Sequence, residues 1–139
     1  MLKRSLFSLA VVAALAVPMQ GQAQVSATFD VTGSSGNWFL DFAFTNLSSA
    51  ASGQYLYFMG ADLPNNSYSS GPTGYSQYPG YSVGGNYYAL NWLTSDYFGA
   101  GISPGSTMSG FVANVASVDA PTSVDYFGYT YNRQTNPWF

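Results

Sequence analysis

The chain has 139 residues, of which 18% are aromatic and only 6% charged, with a formal net charge of −3 and neither Cys nor His. Beyond residue 23 it has no Glu and no Lys. The charges left there are Arg133 and the aspartates Asp30, Asp41, Asp62, Asp96, Asp119 and Asp125. This composition excludes disulfide cross-linking, thiol chemistry and His-based proton transfer, and the scarcity of cations excludes nucleic acid and anionic lipid as partners.

The chain opens with Lys3 and Arg4, an apolar run over 6–17, Pro18, and then Gly21-Gln22-Ala23. That is the order of a secretory signal peptide, so residues 1–23 are expected to be a cleaved helical leader and Gln24 the mature N-terminus. The alternative is an N-terminal membrane anchor, which needs roughly 18 or more apolar residues; the run here is shorter. Residues 24–139 then form one exported domain with no membrane contact after cleavage. Lacking disulfides, it must hold together by burial alone, which its length and aromatic content allow.

Val25, Ala27, Phe29 and Val31 alternate with Ser26, Thr28 and Asp30, the period of two that marks a half-buried strand. Gly33-Ser34-Ser35-Gly36 breaks that strand. The next, over 37–46, sets Trp38, Leu40, Phe42 and Phe44 against Phe39, Asp41, Ala43 and Thr45. Residues 47–53 are small and polar, a loop. A third strand over 54–61 has Leu56 and Phe58 opposite Tyr55, Tyr57 and Met59.

From 64 to 86 the pattern dissolves into Gly, Pro, Ser, Asn and Tyr, and a long irregular loop is expected, holding a binding surface or no order at all. Gly84-Gly85 also suits a hairpin turn into 87–93. Ser103-Pro104-Gly105-Ser106 reads as a type II turn, and Gly110 as a bulge in a strand that carries Phe111, Ala113 and Val115 on one face. After Ala120-Pro121-Thr122 a last strand alternates Phe127, Tyr129 and Tyr131 with Tyr126, Gly128 and Thr130. No helical period appears past the leader. The expected fold is all-β, an antiparallel two-sheet sandwich. Its predicted core is Val25, Phe29, Trp38, Leu40, Phe42, Phe44, Leu56, Phe58, Leu90, Trp92, Phe111, Val115 and Phe127.

Candidate sites are few. Ser is abundant, but no His or Lys is present to activate it. Asp41 with Asp125 is the one carboxylate pair offered for glycosidase chemistry, against solvated strand faces as the simpler reading. Calcium is the plausible ion, with Asp30, Asp62 and Asp96 as ligands if the strand ends converge; the Asp are too scattered for a continuous calcium loop. Tyr75, Tyr78 and Tyr81 stand out as a possible stacking platform within the Tyr-rich tract, with folding of that tract over one sheet as the alternative. Asn46-Leu47-Ser48 and Asn65-Asn66-Ser67 fit glycosylation sequons.

The stretch Gly101-Ile102-Ser103-Pro104-Gly105-Ser106-Thr107-Met108-Ser109-Gly110-Phe111, then Ala120-Pro121 and Val124-Asp125-Tyr126-Phe127, resembles bacterial exported proteins of the exosortase-sorted (PEP-CTERM) kind. Phe44-Thr45-Asn46-Leu47-Ser48 is similar to an early strand of the same domains. The resemblance implies an immunoglobulin-like β-sandwich in an envelope or matrix protein without known chemistry. The family's sorting tail does not follow here, since the sequence ends Asn136-Pro137-Trp138-Phe139, which implies a released or shortened relative. The expected function is that of a non-catalytic secreted structural or adhesive protein of the cell surface or extracellular matrix. Its partners would be copies of itself or other surface proteins; the alternative is a carbohydrate-binding module that takes polysaccharide on the Tyr-rich tract.

Overall fold

The computed structural model describes residues 9–11, 25–63, 68–94 and 101–132. Among these residues are nine strands: β1 (Leu9–Val11), β2 (Val25–Ser34), β3 (Asn37–Asn46), β4 (Gln54–Ala61), β5 (Tyr68–Ser70), β6 (Tyr75–Val83), β7 (Asn86–Thr94), β8 (Thr107–Val115) and β9 (Tyr126–Asn132). A single 3-10 turn, Ala50–Ser52, joins β3 to β4. Every pairing is antiparallel. The first sheet has the order β1-β2-β3-β8-β5 and the second β6-β7-β4-β9.

The two sheets pack face to face because each carries an apolar inner face that water would otherwise wet. Alternation puts Val25, Ala27, Phe29 and Val31 of β2 inside, beside Leu40, Phe42 and Phe44 of β3 and Phe111, Ala113 and Val115 of β8. The opposite sheet answers with Leu56, Met59, Ala61, Leu90 and Trp92. Trp92 is fully buried, its ring centroid 5.8 Å from Phe42, 5.9 Å from Phe44 and 5.6 Å from Phe111. Its indole N–H donates to the Ser70 carbonyl at 3.0 Å, so the one polar atom of the ring is satisfied.

A second tie is polar. Asn46 is fully buried at the end of β3, and its Nδ2 donates to the carbonyls of Gln54 (2.7 Å) and Ile102 (2.9 Å). Its backbone carbonyl accepts from the Gly105 N–H at 2.8 Å, and its own N–H donates to Ser106 O at 3.0 Å. Both sheets and the 103–106 turn are thus joined through one residue, the amide side chain reaching Gln54 and Ile102 and the backbone holding the turn. The sequon read at Asn46 is therefore a structural pin with no exposed amide to carry a glycan; Asn65-Asn66-Ser67 lies outside the described residues.

Several turn readings agree with the structure. Gly84 and Gly85 both take positive φ (57° and 87°) in the two-residue loop between Val83 and Asn86, as a type I′ hairpin requires. Gly105 has φ 76° and the Ser106 N–H donates to Ser103 O at 3.0 Å, the geometry of the predicted turn. Gly110 has φ 92° in β8, where the register against β3 slips between Phe42 and Phe44.

Other expectations are corrected. Leu9–Val11, placed in a helical leader, is extended and pairs with Phe29–Val31; the rest of 1–23 lies outside the described residues. The expected loop over 64–86 contains β5 and the nine-residue β6. Pro79 and Gly80 are tolerated there because β6 is an edge strand, paired on one side only. Trp38 sits half-buried at the sheet rim, its Nε1 donating to Ser117 O at 3.2 Å. Phe58 and Phe127 are buried but belong to a separate cluster. Met59, Tyr75 and Ile102 enter the central core in their stead.

Trp92→Ala should cost about 3–5 kcal/mol, the range for emptying a large buried aromatic site. Chemical denaturation should show that loss as a lowered midpoint, and a clearly smaller one for Trp38→Ala at the rim.

Candidate functional site

One backbone irregularity creates the most distinctive surface. In β4 the register against β9 slips between Leu56 and Phe58: Leu56 faces Thr130, Phe58 faces Tyr129, and Tyr57 is the extra residue of a β-bulge. The bulge resets the alternation. Leu56 and Met59 point into the central core, and Phe58 turns to the outer side of the second sheet. Simple alternation assigns Leu56 and Phe58 to one face, which is how the sequence misleads.

Phe58 becomes the centre of an aromatic cluster. Its ring lies edge-on to Tyr81 (5.0 Å), Phe127 (5.1 Å) and Tyr78 (5.4 Å), and stacks on Tyr129 at 6.2 Å. Phe127 in turn meets Tyr88 at 4.9 Å. Tyr57 extends the row to Tyr131 at 5.5 Å, and Tyr131 to Tyr55 at 6.2 Å. Edge-on contacts are the preferred geometry for rings that carry a quadrupole.

Tyr78 and Tyr81 are three residues apart, so a regular strand would set them on opposite faces. The β6–β7 ladder pairs Pro79 with Leu90 and then Tyr81 with Tyr88, passing over Gly80 and Ala89. The register is the same on both sides of that gap, and both tyrosine rings contact Phe58. Tyr87 lies across Gly80, where a Cβ would collide with its phenol. Gly60 likewise has no room for a Cβ, because Phe127 and the Asn91 side chain cover it. Asn91 is fully buried beneath the rings, with Nδ2 donating to Tyr88 O at 3.0 Å and Oδ1 left without a partner among the described residues. Tyr78 is 40% exposed and Tyr87 55%, so the cluster opens to solvent on the β6 side.

The predicted sites fall as follows. Tyr78 and Tyr81 share this surface, but Tyr75 does not. It begins β6 facing inward, 8% exposed, with its ring 5.0 Å from Phe111 and its hydroxyl donating to Leu56 O at 3.1 Å. The proposed platform therefore loses Tyr75, while Tyr57, Phe58, Tyr129 and Tyr131 join Tyr78 and Tyr81. The alternation of Phe127, Tyr129 and Tyr131 was visible in sequence; their grouping with β4 and β6 required the sheet order.

Asp30 lies exposed on the outer side of the first sheet, directly opposite Asp41, whose carboxylate accepts from the Gly110 N–H at 3.1 Å. Asp62 follows β4 in the second sheet, its N–H donating to Asp125 O at 2.8 Å. The described members of the calcium set, Asp30 and Asp62, thus sit on different sheets, and Asp96 lies outside the described residues. Among the described residues no three acidic side chains gather. Asp41 and Asp125, the carboxylate pair considered for glycoside chemistry, also belong to different sheets.

With the geometry in hand, comparison with protein-family models, with curated proteins and with solved structures yields no match to this chain.

Burial raises the phenol of Tyr75 far above its ordinary value. Burial also raises Tyr88 and, with help from neighbouring Tyr81, Tyr129. For a group whose folded pKa is raised, the unfolded chain gives up its proton first, so stability is complete below the ordinary tyrosine value and falls above it. Denaturation midpoints should be flat through neutrality and decline above about pH 10. Tyr75→Phe should lessen that alkaline decline, and phenolate absorbance should show Tyr75 ionising only as the fold is lost.

Proposed function

We propose that the chain acts by contact rather than by catalysis, as an exported structural or adhesive component of a bacterial cell surface or extracellular matrix. The observation that carries this reading is the outer aromatic face of the second sheet. Rings that could have been buried in the core are instead gathered on the far side of the sheet, where the β4 bulge sends them. Such a face offers large rigid area and phenolic hydrogen bonds at small entropic cost, the properties of a contact surface. Export is supported by the order of features in residues 1–23.

An immunoglobulin-like reading of the sandwich has support in the strand order. The sequence β2-β3-β8-β5 corresponds to the A-B-E-D sheet, and the neighbours β4 and β9 to strands C and F. The β6–β7 hairpin is then an insertion between D and E that docks beside C and brings Tyr78 and Tyr81 to the aromatic face. This arrangement also agrees with the resemblance to exosortase-sorted exported domains.

A second reading, favoured by the exposure of Tyr78 beside Tyr81 and Phe58, is stacking on the rings of a neutral polysaccharide. Light scattering on the purified full chain separates the two. Higher-order assembly that grows with concentration, ignores added sugar and disappears in Tyr78→Ala/Tyr129→Ala supports the adhesive reading. Each deleted ring should weaken contact by about fivefold or more, as loss of a residue worth ~1 kcal/mol does. Cosedimentation with insoluble neutral polysaccharide, lost in the same variant, supports the carbohydrate reading. Unchanged behaviour of the variant in both assays refutes a role for this face.

A further inference from the structure

Strand β2 is self-complementary about Thr28. Counting outward from that residue, Ala27 matches Phe29, Ser26 matches Asp30, and Val25 matches Val31. The four apolar members are buried on the inner face, while Thr28 and Asp30 are exposed on the outer one. Two such strands laid antiparallel and centred on Thr28 would set apolar against apolar on the core side. On the solvent side they would set Thr28 against Thr28 and Asp30 against Ser26, so no like charges would stand opposite one another.

On one side β2 pairs with β3 along its whole length, Val25 to Ser34. Among the described residues, its other edge bears the three-residue β1, in the register Leu9 to Val31, Ala10 to Asp30 and Val11 to Phe29. A symmetric partner centred on Thr28 would place Val25, Ser26 and Ala27 at those same three positions. The Leu-Ala-Val of β1 therefore stands where the Val-Ser-Ala of a second copy belongs. The edge also carries no Lys, Arg or Pro, the residues that usually guard an open strand against pairing.

We infer that β2 is a dimerisation edge, which takes the β2 strand of a second copy of this chain in the register centred on Thr28 and is covered in the single chain by Leu9–Val11. The contact is isologous and joins two β2-β3-β8-β5 sheets into one of twice the width. Loss of residues 1–23 vacates the edge; that step rests on the signal-peptide reading, while the pairing itself does not.

The test uses the full chain. Val11→Pro removes a ladder donor from β1, since alternation makes Val11 and Phe29 a hydrogen-bonded pair, and Ala10→Asp independently sets a carboxylate opposite Asp30; either should loosen β1 from the edge. In the Tyr78→Ala/Tyr129→Ala background, which removes assembly through the aromatic face, light scattering should give the monomer mass with β1 intact and twice that mass for both β1 variants. Adding Thr28→Lys, which brings two lysines together at the symmetry axis, should return the monomer mass. Adding Ser26→Lys instead, which sets each lysine opposite Asp30, should keep the dimer to lower concentration. Monomeric Val11→Pro and Ala10→Asp variants with intact near-UV spectra overturn the inference, as does a dimer on which Thr28→Lys and Ser26→Lys act alike. Tyr78→Ala/Tyr129→Ala should leave this dimer unchanged, which separates it from the aromatic face. The N-terminal sequence of exported chain tests the leader reading on its own.

Discussion

Everything else in this fold depends on the aromatic packing around Trp92. A domain with no cysteine has no covalent staple, so its sheets must be held by area removed from water and by ring contacts of fixed geometry. Trp92 reaches across from the second sheet into Phe42, Phe44 and Phe111 of the first, and its indole N–H finds Ser70 O on β5. Beside it, Asn46 does in polar terms what the rings do in apolar ones. A buried amide that serves two carbonyls on separate segments fixes the geometry of the strand ends, and leaving those carbonyls unpaired would be costly.

Once that core is in place, the remaining aromatics have to go elsewhere. The β4 bulge at Tyr57 decides where. It rotates Phe58 outward while keeping Leu56 and Met59 inward, and the rings of Tyr78 and Tyr81 on β6 meet it there. Glycines at 60 and 80 make room for the overlying rings of Phe127 and Tyr87. The result is a sheet with one aromatic face inside and another outside, in a chain too poor in charge to cover its surface in the usual way. The two faces differ in consequence: the inner one fixes the fold, and the outer one offers contact to whatever the protein meets. The first sheet contributes differently, since its outer side is lined by Thr28, Asp30 and Asp41 and its interest lies at the β2 edge.

Much of the fold was legible because strands in a sandwich print their burial as a period of two. The inner faces of β2, β3 and β8 follow from Val25 to Val31, Leu40 to Phe44 and Phe111 to Val115 without further information. The turns at Gly84-Gly85 and Pro104-Gly105 were legible because only glycine takes their positive φ at no steric cost. The segment 64–86 was not, because its Gly, Pro and Ser imitate a loop. An edge strand tolerates those residues, and edge position is a property of the sheet order. Tyr75 shows the same limit: its neighbours in sequence are surface residues, while its neighbours in space are Phe111 and Leu56.

By itself, then, the amino-acid sequence determined that this is an all-β chain with an aromatic core, without thiol or imidazole chemistry, because composition and two-residue periodicity are local quantities. Which tyrosines share a surface was decided only in three dimensions. A bulge of one residue exchanges the faces of a strand, and whether it forms depends on the partner strand opposite, which no stretch of β4 read alone contains.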